Sequence, residues 1–109
     1  MIYRNATLLK ILYLWFNIPM KVDEIFSSRG RVAILVQLAI NGELYVSELA
    51  RYSKISVESV RAHLKKLEDL QIVRYKAVGN KKVYMLNKQN PYAREIEDFI
   101  LKWYRRRKN

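Results

Sequence analysis

The 109 residues contain no cysteine and one histidine. The first absence excludes disulfides and thiolate chemistry and fits a reducing, cytoplasmic compartment. The second leaves His63 as a single imidazole where a zinc ion takes about four ligands, so no metal centre and no cofactor are expected. Glycine (three) and proline (two) are scarce, which leaves no phosphate-cradling glycine loop and no flexible linker. Catalytic groupings are missing too: there is no Cys–His pair and no H-E-x-x-H. Glu68 and Asp69 are adjacent, but neighbouring helix positions diverge by about 100° and cannot share a proton. These absences read as a non-enzyme. Nor is there a membrane span. The apolar run Leu8 to Ile18 would cover about 16 Å as a helix, against a hydrocarbon core of about 30 Å. No small-residue cleavage site of a signal peptide follows it.

What the chain has is positive charge. Twenty-one Lys and Arg stand against ten Asp and Glu, giving a formal charge of +11. Such a balance favours a polyanionic partner, nucleic acid first and an anionic membrane surface second. Half of the residues are apolar, enough to bury a core, and the length allows one domain, or one domain with an appended helix.

The most informative stretch is Val46 to Leu70, VSELARYSKISVESVRAHLKKLEDL. Its pattern predicts two helices joined by a tight turn. Ser47 is the expected cap of the first, with Leu49 and Ala50 on its inner face. Ser53-Lys54-Ile55 forms the turn, with Ile55 as an apolar plug. Lys54 stands where a positive φ is commonly met by glycine, and a lysine there costs roughly 1 kcal/mol. Ser56 caps the second helix, whose inner stripe is Val60, Leu64, Leu67 and Leu70. Ser59, Arg61, Ala62, Lys65 and Lys66 occupy its other face. A dry inner stripe under a basic, small-residue outer face is what major-groove reading requires. The alternative is a plain helical hairpin with a solvated basic face.

The flanks organise around that pair. Val22, Ile25 and Phe26 make a short amphipathic turn. Ser27-Ser28 caps a helix over about 29–40, with Val32, Leu35, Leu38 and Ala39 inward, closed by Asn41-Gly42. Residues 43–46 form a short extended link. Beyond Leu70, two β-rich runs (72–78 and 81–86) flank Gly79-Asn80, which predicts a hairpin with positive φ at the glycine. Val73, Tyr75, Tyr84 and Leu86 are expected inward. Arg74, Lys76, Asn80, Lys81 and Lys82 project outward or sit at the tip, where they would grip phosphate as a wing beside the helix. A solvated edge hairpin is the alternative.

Asn90-Pro91 opens a last helix to about Arg106, with an apolar stripe of Ile96, Phe99, Ile100, Trp103 and Tyr104 and a basic end at Arg105 to Lys108. The segment 8–18 is apolar on every side. It packs on its own domain, or contacts a second subunit, or belongs to an extension before the domain proper; the residue pattern leaves these open. Candidate dimer contacts are Leu8, Leu12 and Trp15, with Ile96, Phe99, Ile100 and Trp103. The division expected is an N-terminal helix or extension (1–19), a core domain (20–88) and a C-terminal dimerisation helix (89–109).

The order helix, helix, helix, hairpin, helix resembles the winged helix-turn-helix regulators of archaea and bacteria, in particular the ArsR-like and MarR-like transcription factors. The resemblance covers Asp23 to about Leu86 and is carried by DEIFSSRGR (23–31), VSELA (46–50) and VRAHLKKL (60–67). The first of these looks most like archaeal members. It implies a mainly α fold with a β-hairpin wing and extra N- and C-terminal helices, a homodimer whose terminal helices pair, and double-stranded DNA as partner. It places base reading on Ser56, Val57, Glu58, Ser59, Arg61, Ala62 and Lys65, with Lys66 beside them. Metal-sensing members use cysteine and histidine clusters, which this chain lacks; His63, beside the inner stripe, is read as a structural residue. The rival readings are a protein-docking module of a larger assembly and a sequence-blind architectural protein. A single-strand RNA module is disfavoured, because no aromatic stacking platform is evident.

Overall fold

A computed structural model describes residues 22–108. The elements are α1 (Val22–Ile25), α2 (Arg29–Asn41), β1 (Glu43–Tyr45), α3 (Val46–Ser53), α4 (Val57–Asp69), β2 (Val73–Val78), β3 (Lys81–Leu86) and α5 (Pro91–Lys108). The segment 8–18, and with it Leu8, Leu12 and Trp15, lies outside the described residues.

Caps set most boundaries. The Arg31 N–H donates to Ser28 Oγ (3.1 Å) at the start of α2, and Gly42, at φ 88°, closes that helix through its N–H to Leu38 O. The Ser59 N–H donates to Ser56 Oγ (3.0 Å) at the start of α4. Lys54 takes the left-handed conformation (φ 60°, ψ 43°) between α3 and α4, as the turn requires. One cap differs from expectation. Helix α3 begins at Val46, and the Glu48 carboxylate, not Ser47, satisfies the opening turn by accepting the Tyr45 N–H at 2.9 Å. Strand β1 runs directly into the helix, so the cap falls two residues early and an acidic N3 side chain reaches back to it.

The three strands pair antiparallel in the order β1-β3-β2, with Leu44 opposite Tyr84 and Tyr84 opposite Tyr75. Pairing of β1 turns the extended link into a sheet strand and makes β3 central. That explains why Val83 and Met85 are buried along with Tyr84 and Leu86. By alternation they share the outer face with residues 43, 45, 74 and 76, whose side chains flank them from the two neighbouring strands. Tyr75, expected inward, is 41% exposed. It lies midway along β2, the edge strand, opposite Tyr84.

The core joins Ile34, Leu35 and Leu38 of α2, Leu49 of α3, the Val60/Leu64/Leu67 stripe of α4, Leu70 and Ile72, with Tyr84 and Leu86 from the sheet. Each fully buried leucine contributes about 1.5–3 kcal/mol. In α2 the inward set is Ile34, Leu35, Leu38 and Ala39; Val32, expected inward, is 37% exposed. Val22 and Phe26 are likewise exposed, so only Ile25 anchors α1.

The end of α4 is tied to the start of α5. Gln71 takes φ 63°, and its carbonyl accepts from both Asn87 Nδ2 (3.0 Å) and Asn90 Nδ2 (2.9 Å). Asn90, a fully buried amide, also accepts the Tyr92 N–H (2.9 Å) and so caps α5. Helix α5 continues to Lys108, past the expected end. Ile100 is buried and Ile96 partly so against the chain's own core, while Phe99 is 69% and Trp103 49% exposed. The stripe therefore splits into an inner half and an outer half. The outer half, with Phe26, Val32 and Val36, lines an apolar groove of about 430 Å³ between α2 and α5.

Candidate nucleic-acid interface

Helix α4 presents three flanks because its neighbours differ on each side. Val57, Arg61, Lys65 and Glu68, at spacings of four, four and three, look toward the hairpin. They form one wall of an open cleft of about 660 Å³, whose other walls are Tyr45, Val46 and Ser47 and then Asn80, Lys81, Lys82 and Tyr84. Glu58 and Ala62 stand exposed at the crest. Ser59, His63 and Lys66 lie on the third flank, toward α1 and the start of α2. There Lys66 Nζ meets Glu24 Oε1 at 3.6 Å, and Arg31 Nε donates to His63 Nδ1 at 3.3 Å.

The cleft is cationic at its rim and aromatic at its base. Lys81 Nζ stands 5.7 Å from the Tyr45 ring centre and Lys82 Nζ 4.3 Å from that of Tyr75. Tyr75 packs on Tyr84 with centroids 5.4 Å apart. Burial, then the charge of Glu68 and the hydrogen bond the hydroxyl donates to it, push the Tyr84 pKa up to about 12. Tyr84 therefore stays a neutral donor at any working pH and holds Glu68 at the cleft floor. Four cations, Arg61, Lys65, Lys81 and Lys82, thus converge on one open concavity. Such an arrangement suits an extended polyanion. Among the described residues no group of three or more His, Asp or Glu is placed to hold a metal ion, and no helix is long and apolar enough to cross a membrane.

Residues 28–75 match the family model described as bacterial regulatory protein, arsR family. No curated protein sequence matches the chain. Solved structures do. The AntR antimony-specific transcriptional repressor is 19% identical, with a TM-score of 0.65 over 99% of this chain and 89% of that one. HlyU from Vibrio cholerae is 19% identical, with a TM-score of 0.61 over 94% and 98%. The homodimeric winged helix-turn-helix DNA-binding domain of Mb0332 from Mycobacterium bovis is 18% identical, with a TM-score of 0.59 over 95% and 87%. The fold is a winged helix-turn-helix. Helix α4 occupies the place of the recognition helix and the β2–β3 hairpin that of the wing.

Set on this fold, the residues singled out in the sequence separate. Ser56 and Ser59 sit at the N-terminus of the recognition helix, where their hydroxyls hydrogen-bond each other at 3.1 Å. Val57, Arg61 and Lys65 line the cleft, as do Asn80, Lys81 and Lys82 of the wing. Lys66 is turned to Glu24. Arg74 and Lys76 are on the face of the wing opposite Tyr84; Lys76 Nζ is paired there with Glu43 Oε2 at 3.2 Å. Tyr45, Glu68 and Tyr84 are cleft residues that sequence reasoning missed. The signal was available in part: an aromatic directly before a helix start, and an acidic residue seven positions after Arg61, fall on the same side only once β1 pairs with β3.

Gly30 has a role beyond its mild helix cost. A Cβ there would stand 2.9 Å from His63 Nε2 and 3.3 Å from Cδ2. Gly30→Ala is expected to cost about 1 kcal/mol by crowding the imidazole. Chemical denaturation should show a lower midpoint at unchanged slope; an unaltered midpoint would mean that the ring moves aside freely.

Proposed function

We propose that this chain is a sequence-specific double-stranded DNA-binding regulator of transcription that acts as a homodimer in the cytoplasm. The observation that carries the reading is the convergence of Arg61, Lys65, Lys81 and Lys82 on one cleft between recognition helix and wing. Ser56, Val57, Glu58, Ser59, Arg61, Ala62 and Lys65 enter the major groove with the helix. Asn80, Lys81 and Lys82 hold the backbone alongside. Arg74 adds field without reaching the bases, while the charges of Lys76 and Lys66 are taken up by Glu43 and Glu24. The net charge of +11 supports a polyanionic partner. The arsR-type match over 28–75 and the fold point to a regulator and not to an enzyme. The likeness of residues 23–31 to archaeal members belongs to the same reading.

A second copy is proposed to cover the apolar groove. Phe99 and Trp103 would otherwise leave a wet aromatic patch on an otherwise basic surface. A two-fold dimer would set paired recognition helices about 34 Å apart, so the site should be a pseudo-palindrome with half-sites one turn apart.

The test is selection of duplexes from a random pool, then titration of selected and scrambled duplexes at physiological salt. A preference of at least about a thousandfold is expected. Equal, salt-sensitive binding in the range of about 10⁻⁴–10⁻⁶ M would mark an architectural protein. No binding to either duplex would favour the protein-docking module instead.

A further inference from the structure

The recognition helix is keyed to the scaffold along its third flank, away from both wing and core. Arg31, in the first turn of α2, uses Nε to donate to His63 Nδ1 at 3.3 Å and Nη1 to donate to the carbonyl of Glu24. The Glu24 side chain in turn meets Lys66, one turn beyond His63, at 3.6 Å. The imidazole lies against Gly30, where nothing larger than hydrogen fits without a shift. Segment 24–31 thus grips the helix at two successive turns, 63 and 66.

One of those grips depends on protonation. Nδ1 must carry a lone pair to accept from Arg31, which fixes the proton of the neutral ring on Nε2. A second proton would put an N–H on Nδ1, facing the Arg31 Nε–H, with two positive charges side by side. We infer that Arg31 and His63 are a positioning pair that holds the recognition helix in its DNA-reading orientation, and that the pair stands only while His63 is neutral, so base-sequence preference declines in acid. The inference rests on the DNA-binding reading proposed for this chain. The charged groups around the ring are Arg31 on α2, Glu24 on α1 and Lys66 on the helix itself. Among the described residues, the Glu24 carboxylate is paired with Lys66, and it is the Glu24 carbonyl that meets Arg31.

The direction of the His63 shift agrees. Burial first, and the neighbouring Arg31 second, lower its pKa from the ordinary 6.5. A histidine with a depressed folded pKa binds fewer protons folded than unfolded. The pairing therefore contributes fully above about 6.5, weakens as pH falls below that value, and is gone below the lowered pKa.

Protonated His63 also adds a charge that attracts any duplex, so the readout is the ratio of affinities for selected and scrambled DNA. That ratio is expected to fall roughly tenfold between about pH 7.5 and an acid pH at which the His63 ring resonances show it protonated, the scale of one charge-assisted hydrogen bond. His63→Asn places Oδ1 where Nδ1 stands and cannot be protonated. It should keep the ratio high at both pH values. His63→Lys should show the low ratio already at pH 7.5. A wild-type ratio that does not change with pH, or the same decline in His63→Asn, would overturn the inference. Independently of DNA, the Arg31 Nε–H resonance of the full chain should move with the imidazole titration. An Arg31 resonance that stays fixed while His63 titrates would overturn it as well. If no duplex binds at any pH, the DNA-binding reading falls, and the resonance measurement still decides whether the pair opens on protonation.

Discussion

Phe99→Asp combined with Trp103→Asp is expected to convert the proposed dimer, formed at micromolar concentration, into a monomer with an intact fold. Both side chains are exposed on the outer half of α5, so their removal takes no packing from the chain's own core. The neighbouring Ile96 and Ile100, which pack inward, stay in place. Two carboxylates in a groove lined by Phe26, Val32 and Val36 would be stranded without partners if a second copy closed over them. Sedimentation should report half the mass, and circular dichroism should report unchanged helix content. The consequence for DNA is larger than the consequence for assembly. Two linked recognition helices bind the second half-site at high effective concentration, worth about 10²–10⁴ in affinity. A monomer forfeits that factor on a full site and should bind full and half sites alike. A wild-type chain that sediments as a monomer at high concentration would refute this prediction.

The second large effect contrasts two sets of cations in the same cleft. Arg61 is on the recognition helix, exposed, with no ion-pair partner among the described salt bridges. If its guanidinium makes a forked contact to guanine, Arg61→Ala should cost about 1–3 kcal/mol and relax preference at particular base pairs. Lys81 and Lys82 sit at the wing tip over the Tyr45 and Tyr75 rings. Their joint replacement by alanine should weaken all duplexes equally and reduce the salt slope by roughly 1 for each phosphate they no longer neutralise. The two variants must therefore differ in kind. Should Arg61→Ala lower affinity for every sequence by the same factor, the residue positions the backbone and reading falls to its neighbours. Lys76→Ala is the internal control: its ammonium is already paired with Glu43 on the far face of the wing, so the change should leave DNA affinity nearly untouched.

Local chemistry by itself determined the elements. Ser28 and Ser56 as caps, Gly42 and Gly79 at positive φ, the left-handed Lys54 and the 60/64/67/70 stripe are each decided by residues near in sequence, and each is found as read. Charge balance and the helix–helix–hairpin order likewise needed no coordinates to indicate a winged helix-turn-helix. Only the tertiary structure decided how faces divide. Pairing of β1 with β3 buried Val83 and Met85, left Tyr75 in solvent, and brought Tyr45 to the cleft. Sheet alternation sent Arg74 and Lys76 to the opposite side from Lys82, although all lie in one basic run. Packing of α1 and α2 against α4 turned Lys66 from the outer face toward Glu24, and set Arg31 and Gly30 against the His63 imidazole. Packing of α5 on α2 split one apolar stripe into a buried half and an exposed half. The reason is the same in each case. A periodic pattern specifies which residues share a face, but the partner of that face is set by contacts between residues distant in sequence.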